Sequence, residues 1–199
     1  MKDVRTEKID VDFEIALQPE TDLERIMLQQ SEFLQGLLWG VPRYGHPEGE
    51  IYKHILEVLE NIDCLKLDDE SRQCLRAVAF AHDTFKYIED KSFPRDWSKH
   101  HSIYARKFLE KFTDNQAILD ITELHDEAYY AWRTTYLYHR PQKGEIRLQS
   151  LLDRIGDNIQ LYYLFFKCDT LTGDKNLAPL RWFEQHIPGI EIMPVQRKN

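Results

Sequence analysis

Residues 75–87 read LRAVAFAHDTFKY, and their spacing decides the fold class. Leu75, Val78 and Ala79 share one face of a 3.6-residue helix, and that face runs on to His82, with Asp83 beside it. Asp68, Asp69 and Ser71 offer caps at the start of this helix, which is expected to run toward Lys86. Working outward, the loop containing Pro42, Gly45, Pro47 and Gly49 stops a helix over about 21–38 and starts another over about 50–64. Pro94, Asp96 and Ser98 precede a helix that reaches Phe112. Asp114 is placed to cap one from Gln116 to about Tyr136, and a last long helix covers about 145–170. The fold class is therefore all-α, a helical bundle. Two segments depart from the helical period: Ile9, Val11, Phe13, Ile15 and Leu17 alternate, and Gly189 to Val195 is short and apolar, which together predict a short terminal β ribbon. No stretch is rich enough in Gly, Ser or Pro to separate two units, so residues 1–199 read as one domain.

The informative positions are polar residues on apolar stripes. Each loses hydration at a cost of about 1–3 kcal/mol unless a partner replaces the water. Ile51, Ile55, Val58 and Ile62 carry His54 on their face. Tyr104, Ala105, Phe108 and Phe112 put His101 in line and His100 one step around. Ile118, Ile121, Ala128 and Trp132 centre on His125. Leu148, Leu152, Ile155, Ile159, Tyr162 and Phe166 lead to Asp169 as the next inward position. Helices far apart in the chain thus aim titratable groups at one core. A single inward histidine is an ordinary satisfied core residue; several together are accounted for by one buried cation that serves them all. The dipeptide His-Asp occurs twice, at 82–83 and 125–126.

Composition narrows the partners. The chain has 199 residues and a net charge of −8, so charge alone favours no phosphate backbone, and non-specific nucleic-acid binding is not expected. Cys64, Cys74 and Cys168 form neither a disulfide framework nor a Cys-x-x-Cys metal site. The absence of a long apolar run points away from membranes and toward the cytoplasm.

The segments GHPEGEIYKHILEVL (45–59), AVAFAHDTFKY (77–87) and FFKCDTLTGD (165–174) resemble the HD-domain superfamily of metal-dependent phosphohydrolases. The resemblance covers roughly residues 45–175, and HPEGEIYKHIL is similar to the HD domain of bacterial tRNA nucleotidyltransferases. It implies His54, His82, Asp83 and Asp169 as metal ligands. Asp83, Lys86, His100, His101 and His125 are implied for catalysis, with His100 and His101 both open as the histidine of the next helix. Lys86 falls on the lysine of an HD-x-G-K motif, in which Phe85 replaces the glycine. His46 is expected in a loop near the pocket, and His139 and His186 at the surface.

Imidazoles and carboxylates suit Mn, Fe, Co, Ni, Zn or Mg, as one ion or two. A second ion would lie about 3.5–4 Å from the first, with Asp83 as bridge. The function implied is hydrolysis of a phosphomonoester or phosphodiester of a nucleotide-like small molecule by metal-activated water. The alternatives are a non-catalytic nucleotide-binding or regulatory HD module, or a di-iron oxygenase of the same fold. Arg43, Lys86, Arg140, Arg154 and Lys175 are candidates for a positive pocket, and the aromatic run from Tyr129 to Tyr138 for base stacking or a homodimer contact.

Overall fold

A helix begins where a side chain can accept the first free amides, and in the computed structural model, which describes residues 11–195, Asp12 does this for Glu14 and Ile15 at 3.1 Å each. The alternating segment therefore forms a short helix α1 (Phe13–Leu17) instead of a strand. Residues 189–195 form no regular element, and among the described residues an isolated bridge between Arg43 and His46 is the only β pairing. The expected terminal ribbon is thus corrected; Ile9, at its start, lies outside the described residues. One local cap outweighs a five-residue alternation because two strands alone bury too little to persist.

The remaining chain is helical: α2 (Asp22–Leu28), α3 (Ser31–Leu37), α4 (Ile51–Asp63), α5 (Asp69–Ala81), α6 (His101–Leu109), α7 (Gln116–Leu124), α8 (Glu127–Tyr136), α9 (Pro141–Ile155), α10 (Ile159–Thr170) and α11 (Ala178–His186). Short 3₁₀ turns occupy Thr84–Ile88, Trp97–Lys99 and Gly156–Asn158. Three expected long helices are broken: 21–38 at Gln29–Gln30, 116–136 at His125–Asp126, and 145–170 at the Gly156 turn. The α7 cap comes from Asn115, not Asp114. None of the described helices is long and apolar enough to cross a membrane.

Helix α10 is the axis. It packs on α4, α5 and α7, and its Tyr162, Tyr163 and Phe165 are fully buried. The α4 stripe of Ile51, Ile55, Val58 and Ile62 closes against it, and each buried aliphatic removes about 1.5–3 kcal/mol worth of apolar surface from water. On the other side α3 approaches the turn after His82 so closely that a Cβ at Gly36 would lie 1.9 Å from the Thr84 carbonyl oxygen. Only glycine permits that approach. These contacts fix the ends of α4, α5, α7 and α10 around one point.

Candidate metal centre

His54, on the second turn of α4, is 1% exposed, and His82, which ends α5, is fully buried. Their Nε2 atoms face each other at 3.3 Å. Asp169, near the end of α10, brings Oδ1 to 2.9 Å from His54 Nε2 and 3.7 Å from His82 Nε2. Asp83 Oδ2 closes this group at 3.8 Å from His54 and 3.6 Å from His82. The four residues expected as ligands therefore converge, although 115 residues separate His54 from Asp169.

A second group meets the other oxygen of the same carboxylate. Asp83 Oδ1 lies 3.2 Å from His101 Nε2 and 3.5 Å from His125 Nε2, and those two nitrogens are 3.3 Å apart. Asp126 Oδ2 stands 3.6 Å from each. Of the two adjacent histidines, His101 is the one whose Nε2 faces Asp83 and His125. His100 has extended backbone and caps α6; its Nδ1 faces the Ser102 hydroxyl at 2.9 Å and its Nε2 the Tyr130 hydroxyl at 3.0 Å. Its ring centroid lies 4.1 Å from that of His101, and its Nε2 stands 3.4 Å from Glu89 and 3.8 Å from Asp126, at the edge of the cluster and away from Asp83.

The ring nitrogens that face away from the centre explain the orientation. His82 Nδ1 meets the Ala79 carbonyl at 3.0 Å, and His125 Nδ1 meets that of Thr122 at 2.8 Å. His54 Nδ1 and His101 Nδ1 each lie 3.3 Å from a carboxylate, Glu48 and Glu89 respectively. Partners of this kind place the proton on Nδ1 and leave Nε2 as the donor toward a metal. Neither glutamate was among the sequence candidates. Glu48 lies inside the quoted GHPEGE stretch, whereas Glu89 follows a 3₁₀ turn and carries no periodic signal. Asp126 was visible only as the second His-Asp doublet.

This donor set fits divalent cations. Asp83 Oδ1 is buried without a hydrogen-bond partner, and nitrogen pairs face each other at hydrogen-bond distance, while the outer nitrogens of His82 and His125 are held by main-chain carbonyls. A cation between them satisfies all of these atoms together. Oxygen and imidazole donors without a thiolate suit the borderline and hard first-row ions and magnesium.

The electrostatics keep the acids ionised. Burial opposes ionisation of Asp83, but Lys86 and then His82, His101 and His125 hold its carboxyl well below the usual range. For Asp169 burial is likewise outweighed, by Lys175 and by His54 and His82. Burial also opposes ionisation of Asp126, yet His125, His101 and Lys86 bring it to about 2. Lys86 pairs with Asp83 Oδ2, and Lys175 Nζ sits 2.8 Å from Asp169 Oδ1. A cavity of about 290 Å³ opens onto this centre, lined by Asp83, Asp126 and Asp169 at its floor and by Tyr44, His46 and Tyr129 higher up. Of the basic candidates, Lys86 and Lys175 line it; Arg154 lines a different cavity, and Arg43 and Arg140 are exposed elsewhere. His46 is a loop residue on the cavity wall, and His139 and His186 are exposed, as expected.

Residues 51–156, more than half of the chain, match the family model described as the HD domain. The chain belongs to the HD domain family. HD domains bind divalent metals, and the buried histidines and aspartates described above are groups able to hold one. The family match ends before Asp169, which joins the HD centre through the fold of α10, and it does not extend to the narrower likeness with tRNA nucleotidyltransferases. No curated protein and no solved structure matches the chain.

Proposed function

We propose that this chain, taken as one HD domain, is a metal-dependent phosphohydrolase that cleaves a phosphoester bond of a small, nucleotide-like molecule. The observation that carries the reading is Asp83: its two oxygens face two separate histidine groups at the floor of an open cavity. His54, His82 and Asp169 with one Asp83 oxygen would hold one cation, and His101, His125 and Asp126 with the other would hold a second. A divalent cation in such a site supplies Lewis acidity and a coordinated water that ionises near pH 7.

The chain's own groups do the rest. Glu48 and Glu89, each 3.3 Å from Nδ1 of His54 and His101 respectively, would favour the proton on that nitrogen and leave Nε2 available. Burial favours loss of the Lys86 proton, but Asp83 and Asp126 outweigh it and raise its pKa, so Lys86 acts as a fixed positive charge. Beside Asp83 in the cavity lining, that charge would stabilise negative charge growing on phosphoryl oxygens during attack. Phe165, fully buried with its ring 5.2 Å from that of His82 and 6.4 Å from that of His125, closes the floor against bulk water. Tyr129 and Tyr44 line the outer cavity, where an aromatic leaving group can stack.

The test is a panel of phosphate esters and nucleotides offered to Mn- or Co-loaded protein, with Asp83→Ala alongside. Turnover that disappears in the variant supports the reading. A ligand that raises the melting temperature but is never turned over would make the chain a binding module, and oxygen consumption by iron-loaded protein would make it an oxygenase.

A further inference from the structure

The cavity contains two ammonium groups, each parked on a carboxylate of the floor: Lys86 on Asp83, and Lys175 on Asp169 at 2.8 Å. Lys175 Nζ also donates to the Asp169 main-chain oxygen at 3.0 Å, so its ammonium head is anchored on Asp169 at the cavity lining. Both side chains are largely buried, 15% exposed for Lys86 and 18% for Lys175. Higher in the cavity the lining is uncharged: Tyr44, Gly45, Tyr129, Phe166, Asn176 and Pro179. His46, on the same wall, turns its Nδ1 to the Glu48 carboxylate at 3.0 Å. Among the described residues that line the cavity, the lysine charges are therefore concentrated at the floor, away from where a second phosphate would lie.

We infer that Lys175 is a substrate-binding residue, and that Lys86 and Lys175 together select a phosphomonoester with one terminal phosphoryl group and an uncharged remainder. The inference rests on the phosphohydrolase reading above. Its chemistry is a count of oxygens. A phosphomonoester has three non-ester oxygens, enough to face the cation centre and both ammonium groups; a diester has two and leaves one buried ammonium without a new partner. Once cations draw on Asp83 and Asp169, each ammonium stands beside like charge, and a dianionic phosphoryl group relieves both. Charge-assisted hydrogen bonds of this kind contribute roughly a 10- to 100-fold factor in affinity each. The cavity's size agrees, since about 290 Å³ lies at the small end of ligand sites.

The test uses Mn-loaded full-length protein, calorimetric titration with inorganic phosphate, and cleavage of p-nitrophenyl phosphate against bis(p-nitrophenyl) phosphate. Wild type is expected to prefer the monoester. Lys175→Met is expected to weaken phosphate binding about 10-fold or more with metal content unchanged by elemental analysis, and Lys175→Arg to restore most of it. Preference for the diester, or loss of metal in Lys175→Met with phosphate affinity of the loaded sites intact, would overturn the inference while leaving the phosphohydrolase standing. Metal-loaded wild type that neither binds phosphate nor cleaves either ester would remove both.

Discussion

The two His-Asp doublets, 82–83 and 125–126, share a local structure and differ in everything around it. In each, the histidine follows the last residue of a helix, α5 or α7, and its Nδ1 turns back to the carbonyl three residues earlier. After Asp83 the chain tightens into a 3₁₀ turn, with the Thr84 hydroxyl on the Phe80 carbonyl at 2.7 Å and Lys86 on the carboxylate. After Asp126 a new helix starts, and the Tyr130 hydroxyl donates to the carboxylate at 3.2 Å. The Asp83 side chain is 3% exposed and the Asp126 side chain 27%. The histidines diverge as well: burial lowers His82, whereas at His125 burial is outweighed by Asp126 and Asp83, which raise it to about 9. The dipeptide sets the direction of the ring; the surrounding helices set its charge and reach.

The largest expected contrast is between the two aspartates. Asp83→Ala should remove both cations by elemental analysis and lower turnover by on the order of 10³-fold or more, whereas Asp126→Ala should keep the cation on the His54 side and lose about 10- to 100-fold. Equal metal loss in the two variants would erase the distinction. Next come the outer carboxylates. Glu48→Gln and Glu89→Gln should each weaken metal binding about 10- to 100-fold in chelator competition, at different cations, so that their effects separate when the two sites are titrated.

A smaller effect concerns pH in metal-free protein. A histidine raised from 6.5 to about 9 stabilises the fold fully below pH 6.5 and loses that contribution as pH rises through 9. The melting temperature in chelator should therefore fall by on the order of 5 °C between pH 6.5 and 9, and His125→Gln should flatten the fall while His82→Gln does not. The smallest change is Tyr130→Phe, which removes the hydroxyl's contacts with Asp126 and His100 and should cost about 1–2 kcal/mol in thermal stability with both cations retained.

Much of this was legible in the sequence. His54, His82 and Asp169 each lie on or directly after a helix whose preceding or following turns keep the α period, so a fixed angle per residue predicts their direction, and all three point where the period says. Phase cannot be read where a helix starts. His100 has extended backbone as the α6 cap and His101 is the first helical residue, so a 100° rule could not rank them. The breaks at Gln29–Gln30 and His125–Asp126 carry neither glycine nor proline, and tertiary packing makes them. Helix α11 was missed because it follows a loop after the last apolar stripe; its start is marked by Pro179 in the first turn and by Asn176, whose side chain accepts from the Ala178 amide. Glu89 and Lys175 act from turns, where neighbours in space are not neighbours in period.

The loop that carries Tyr44 is fastened to the opposite end of the chain. The Gly45 amide donates to Asp174 at 2.6 Å across 129 positions, and the Gly173 amide donates to Glu57 at 2.7 Å. At Gly173, with φ of +53°, a Cβ would meet Pro47 at 2.9 Å and the Gly45 oxygen at 3.0 Å. Asp174 and Lys175 are consecutive, so the clasp on the Tyr44 loop and the ammonium group on Asp169 belong to one short strap, and the rim and floor of the cavity share a single piece of backbone.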